Sequence, residues 1–222
     1  MALYTIKRKH FHQEIEALDI YFKKKFCGVC QNDLLEYVRS FGTSAPNDSL
    51  FEAQRKWIMD EILTSSGIAE RARAIKFALK LAQYFYTERN FPAYFAVLSA
   101  LEERAVKRLR KSWYQVPHKY TKWYLQHLQL SSTPAYFVKI AGEQECLCFP
   151  YLYALKQEYQ YSPLEKQKEI EALLLKCHKT LSHHLSDEKE DSSTLFIRRI
   201  HVWKKQTHVR EINFLERSFL LE

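Results

Sequence analysis

A chain of 222 residues and 26.6 kDa has room for one large domain or two small ones, and for a sizeable buried core. It is 46% hydrophobic, 14% aromatic and 27% charged, which is globular, and its 4 Gly and 6 Pro are too few for a turn-rich sandwich or barrel or for a Gly-rich nucleotide loop. The net charge of +8 favours acidic partners, whether nucleic acid, anionic lipid or an acidic protein surface, without choosing among them. No apolar run approaches the roughly 18 residues of a membrane span, and Met1 to Lys9 lacks a signal-peptide core. Five cysteines suggest no disulfide framework, and the expected location is the cytoplasm.

The first feature in chain order is His10, His12 and Glu14, which lack an HExxH pattern and read as a polar segment. Cys27-Gly28-Val29-Cys30 has zinc-ligand spacing, and Cys146-Leu147-Cys148 offers two further thiolates; buried packing on helices is the plainer reading. After a polar break at 42–49, Ile75, Leu79, Ala82 and Tyr86 form an apolar stripe along a helix from Glu70 to Tyr86. Phe91-Pro92 opens a second helix with Phe95, Leu98, Leu101 and Ala105 on one face. Arg104, Lys107, Arg108 and Lys111, with Arg110 beside them, predict a basic face on one helix. Ser162-Pro163 predicts the start of a long amphipathic helix carrying Ile170, Leu174, Cys177, Leu181 and Leu185, and a second polar break covers 186–193. Without repeats or sustained heptads, the expectation is one all-α domain over 1–222. No GxSxG, Walker-type loop or GxGxxG is present, so no hydrolase or nucleotide-binding reading has a motif behind it.

Four blocks of the chain resemble the catalytic domain of Ras-type guanine nucleotide exchange factors. Trp57-Ile58-Met59-Asp60-Glu61-Ile62-Leu63 is similar to the family's Trp-Val-x-x-Glu-Ile-Leu. Glu70-Arg71-Ala72, continuing to Asn90-Phe91, is similar to its Arg-Ala helix ending in Asn-Phe. Ala96 to Leu101 with Val106 to Trp113 is similar to its Val-x-Arg-Leu-x-x-Thr-Trp block, and Cys148-Phe149-Pro150-Tyr151-Leu152 to its Cys-x-Pro-Tyr-Leu. Looser agreement extends to Glu14–Leu35 and to Phe214–Glu222.

The resemblance implies an α-helical bowl that receives a Ras-like small GTPase, with a protruding helical hairpin acting at the nucleotide site and no cofactor or metal. It places Leu101, Glu102, Lys107, Arg108, Arg110 and Tyr136 on the GTPase-facing side, and makes Trp57, Arg71, Asn90, Trp113 and Pro150 structural. Charge reversal at Lys107 and Arg108 together is then expected to weaken association without changing thermal melting. After Pro-Tyr-Leu the chain departs from the family: Tyr153 to Pro163 lacks its Gly-Asn-Pro, which implies a shortened or reshaped hairpin. By position, Glu158 and Tyr159 stand for the family's carboxylate and hydrophobic element. The implied function is promotion of GDP release. The alternatives are a GTPase-binding scaffold that has lost the wedge, or a zinc-stabilised helical nucleic-acid binder. A stand-alone domain of this kind also fits a microbial protein delivered to a host cytosol.

Overall fold

A computed structural model describes residues 8–40, 44–131, 133–143, 147–186, 194–206 and 214–222. Its helices are α1 (Arg8–Cys27), α2 (Gln31–Arg39), α3 (Asp48–Leu63), α4 (Ile68–Thr87), α5 (Phe91–Glu102), α6 (Arg104–Lys107), α7 (Arg110–Tyr114), α8 (His118–Ser131), α9 (Pro134–Gly142), α10 (Leu152–Gln160), α11 (Leu164–His184), α12 (Leu195–Gln206) and α13 (Phe214–Leu221). Extended pairing among the described residues is confined to an isolated bridge between Asn90 and Phe149. The all-α expectation therefore holds.

The apolar stripes explain the packing. α5 lies against both α3 and α4, and α12 crosses α3 while also meeting α1. The predicted residues Ile75, Leu79 and Ala82 of α4 are fully buried, with Phe95, Leu98 and Leu101 of α5 facing the same interior. Trp57 is 0% exposed and tilts against Phe196 of α12 with ring centroids 5.4 Å apart. α12 owes its start to α1: the Phe196 N–H donates to Glu14 Oε2 at 2.9 Å, satisfying one of the free donors of a helix N-terminus. This commits Glu14 to α12. His12 meets Phe11 edge-on.

The α4–α5 corner fixes the rest. Arg89 adopts a left-handed backbone (φ 53°), which reverses the chain, and Asn90 then caps α5 by accepting from the Ala93 N–H at 3.2 Å. The Asn90 amide donates to Asp19 Oδ1 of α1 at 2.8 Å. Main-chain bonds from Phe91 N–H to Phe149 O and from Phe149 N–H to Arg89 O, at 3.1 and 3.0 Å, pin the 149–151 strand-like segment to this corner. Asn90 thus ties α1 to the start of α5, and the main chain on either side of it holds the approach to α10.

Two expectations change. The basic residues do not share one helix face. Glu103 (ψ 137°) and Leu109 (ψ 63°) interrupt the helix, so Arg104 and Lys107 lie on α6, Arg110 and Lys111 on α7, and Arg108 in the turn between. α11 begins at Leu164 with Pro163 as its N-cap, one residue later than a Ser162 cap, because Pro163 is extended at φ −65°, ψ 160°. Its stripe Ile170, Leu174, Cys177, Leu181 and Leu185 is buried.

Candidate functional site

An open groove of about 590 Å³ is formed where α2, the start of α3, the start of α5 and α10 converge. Its walls include Tyr37, Asp48, Phe51, Pro92, Tyr151, Tyr153 and Lys156. The aromatic lining is continuous with the core. Tyr151 stacks on Phe95 at 4.1 Å and on Phe51 at 6.3 Å, and Phe95 meets Phe137 at 4.6 Å. Phe137 in turn meets Tyr136 at 5.2 Å, whose hydroxyl shares a 2.7 Å hydrogen bond with Tyr86. Such rings give a receiving surface large apolar area in a fixed geometry. Lys156 is only 8% exposed, with its ammonium 4.2 Å from the Tyr37 ring centroid. Burial, with help from Asp48 and Tyr153, pushes the Tyr37 phenol up to about 12, so that it stays a neutral donor. Burial also raises the Asp48 carboxyl.

A charged rim continues from this groove. Arg55 holds Glu52, a groove wall, at 2.8 Å and also pairs with Glu103. Glu102 accepts from Lys107 at 2.9 Å and from the Tyr124 hydroxyl. Burial together with this carboxylate pushes the Tyr124 phenol far up. Lys107 and Arg110 are exposed and Glu102 is half-buried.

On the groove's other side stands a hairpin of α10 and α11 joined by Tyr161-Ser162-Pro163. Gln167 ties the turn by donating to Tyr159 O and Ser162 O, both at 3.1 Å. Arg39 grips Glu171 bidentately at 2.7 and 2.6 Å, and the Tyr159 hydroxyl donates to the same carboxylate at 2.9 Å. The Arg39 bonds hold the Glu171 carboxyl below its usual range. Glu158 pairs with Lys166.

A family model for the RasGEF domain matches residues 6–184, from the start of α1 to the end of α11. The chain belongs to the RasGEF domain family. It is 39% identical over 75 residues, 34% of its length, to a Rap guanine nucleotide exchange factor of Caenorhabditis elegans. It is 40% identical over 73 residues to the human Rap guanine nucleotide exchange factor 6, and 35% over 107 residues to the Ras guanine nucleotide exchange factor W of Dictyostelium discoideum, which are 33% and 46% of the chain. These stretches are only 5%, 4% and 9% of the three relatives' own lengths.

Within this RasGEF domain Glu102 and Lys107 pair with each other and Tyr136 joins the aromatic run through Phe137 and Tyr86, while two other expected residues are placed differently. Leu101 is 0% exposed; it supports that surface from beneath and has no side chain to offer a partner. Arg108 turns toward α13, its guanidinium 3.6 Å above the Phe219 ring and 3.4 Å from Ser218 Oγ. The expectation that reversing Arg108 leaves melting unchanged is therefore corrected, because this side chain holds the last helix in place.

The expected structural residues sit in joints. Arg71, 2% exposed, donates to Ser112 Oγ at 3.1 Å and to Glu222 Oε1 at 3.2 Å, anchoring α13 on α4 and α7. Burial would raise the Glu222 carboxyl, but donors from Ser112, the Lys111 N–H and Arg71 outweigh it and hold the pKa low. Trp113 stacks on Tyr124 at 5.2 Å and donates to Val106 O, and Pro150 is buried in the pinned segment. Cys30 is exposed and Cys148 buried on separate elements, while Cys146 lies outside the described residues, as do 187–193 of the second polar break. Among the described residues, no three His, Cys, Asp or Glu side chains gather as a metal would require, and no helix is long and apolar enough to cross a membrane.

Sequence reasoning missed the groove itself. Tyr37, Phe51, Pro92 and Lys156 come from four separate elements, and Phe149-Pro150-Tyr151 carried only a structural reading. The break in periodicity at Lys156, a charge on the buried side of α10, was the available signal.

Proposed function

We propose that this chain docks a Ras-like small GTPase over the aromatic groove and its Glu102–Lys107 rim, and promotes GDP release by stabilising the GTPase's nucleotide-free form. The observation that carries this reading is the position of the groove: open, lined by aromatic rings, and lying between a charged rim and the α10–α11 hairpin in a RasGEF domain. The physical basis is linkage. A surface that binds the empty GTPase more tightly than the loaded one lowers nucleotide affinity by the same factor, so no bond is made or broken by this chain. Lys107, Arg110 and Tyr136 contact the GTPase in this reading, and the 155–163 segment, with Glu158 and Tyr159, acts at the nucleotide site. The matched relatives make Rap-type GTPases the first to test.

A second reading rests on the hairpin. Glu158 is engaged by Lys166 and Tyr159 by Glu171, so both side chains are committed inside the hairpin and must be released before they meet a nucleotide site. A binder without exchange activity fits that commitment. Fluorescent-GDP release from Rap, Ras, Ral and Rab proteins, run beside pull-downs of the nucleotide-free forms, separates the two. Accelerated release from at least one GTPase is expected. Pull-down without acceleration selects the binder, and neither result across the panel removes both readings.

A further inference from the structure

Between Arg104 and Gly142 the chain carries eight Lys and Arg and no Asp or Glu. Taking those eight from the 34 basic residues leaves 26, the same as the number of acidic ones, so the whole net charge of +8 resides in 39 consecutive residues. The fold gathers much of this charge at one corner. α7 and α8 are joined by a short turn in which the Tyr120 N–H bonds to Pro117 O, and Trp113 stacked on Tyr124 locks the two helices together. Lys111, Lys119 and Lys122 are all exposed there.

The carboxylates that approach this corner are engaged elsewhere. Glu102 is held by Lys107 and Tyr124, and Glu103 by Arg55. Glu222 is buried against Arg71 and Ser112, touching Lys111 only through its backbone N–H. Among the described residues no carboxylate pairs with Lys111, Lys119 or Lys122. Two large apolar side chains stand amid this charge, Tyr114 at 92% exposure and Leu125 at 60%.

We infer that the α7–α8 corner is a docking surface for an anionic lipid membrane. The basic side chains would lie at the headgroups, with Tyr114 and Leu125 entering the interface. Each Lys or Arg near such a surface adds attraction within a Debye length, and a tyrosine suits the boundary between apolar and wet layers. Nucleic acid fits less well. Single-strand binding uses successive exposed rings along a groove, whereas Tyr120 and Tyr124 are turned inward and Tyr114 projects alone from a corner. A fluid bilayer requires no groove.

The test is co-sedimentation of the full chain with phosphatidylcholine vesicles, with and without about 30% phosphatidylserine, in about 0.1 M and 0.5 M NaCl. Binding is expected only with phosphatidylserine and is lost in high salt. Lys111→Glu with Lys119→Glu and Lys122→Glu should lower it at least about tenfold. Lys168→Glu with Lys176→Glu and Lys179→Glu on α11, the same change in net charge, should lower it less than about threefold. Tyr114→Ser with Leu125→Ser leaves the charge unchanged and should also weaken binding. Equal loss in both charge sets, or no preference for phosphatidylserine, overturns the proposal. Retention of polyuridylate by the wild type, abolished by the α7–α8 set and unaccompanied by vesicle binding, overturns it in favour of nucleic acid. GDP release measured without vesicles should be unchanged in the α7–α8 charge variant and in Tyr114→Ser with Leu125→Ser, which keeps this result separate from the exchange reading.

Discussion

Asn90, Trp57 and His127 each show how one side chain decides a neighbourhood. Asn90 uses its amide for α1 and its carbonyl for the α5 cap, so neither half has a substitute. Trp57 fills the centre among α3, α5 and α12, with its indole N–H unpartnered among the described residues. Trp57→Ala should cost about 3–5 kcal/mol by urea denaturation. Trp57→Phe should cost less than half of that, since no hydrogen bond is lost. His127 is 8% exposed, stacked on Trp123 at 3.9 Å and 3.0 Å from the Tyr94 hydroxyl. Burial lowers its pKa to about 4. The unfolded chain therefore takes up this proton near pH 6.5 and the folded chain does not, so stability falls as pH drops from 6.5 toward 4, by up to ~3 kcal/mol. Urea midpoints at pH 7 and pH 5 should differ in the wild type, with a smaller difference in His127→Phe; an equal difference in the two would assign the acid sensitivity elsewhere.

The interruption of the helix between α5 and α7 separates two roles that the basic cluster combines in the sequence. Lys107 makes an exposed pair with Glu102, the kind that contributes between zero and about 1 kcal/mol. Lys107→Ala should leave the thermal midpoint within about a degree, while under the proposed docking it lowers affinity for the GTPase. Arg108 lies over Phe219 of α13, where a guanidinium on a ring contributes about 0.5–2 kcal/mol. Arg108→Ala should therefore destabilise the protein by about 1–2 kcal/mol, and differential scanning fluorimetry of the two variants side by side checks the contrast. Equal melting of both would show that α13 does not depend on this contact. The same element carries Glu222 to Arg71, both side chains 3% exposed, so α13 is joined to α4 through a buried ion pair while its own length packs on α3 and α6.

At the scale of the whole molecule, the sequence by itself determined the all-α class, the apolar stripes of α4, α5 and α11, and the family, because each of these is written in spacing or in blocks of neighbouring residues. Helical period, few glycines and ordered motifs are local properties, and local properties survive without coordinates. Only the tertiary structure decided what surrounds the groove. Tyr37, Phe51, Pro92 and Lys156 come from α2, α3, α5 and α10 and meet because main-chain bonds of Phe91 and Arg89 with Phe149 pin the 149–151 segment to the α4–α5 corner. It also decided that Leu101 is core, that Arg108 belongs to α13, and that Glu158 and Tyr159 are occupied within the hairpin. A side chain's direction depends on where the helix breaks and on what the far end of the chain brings to it. Two backbone residues outside helical geometry, Glu103 and Leu109, were enough to turn one predicted basic face into three separate environments.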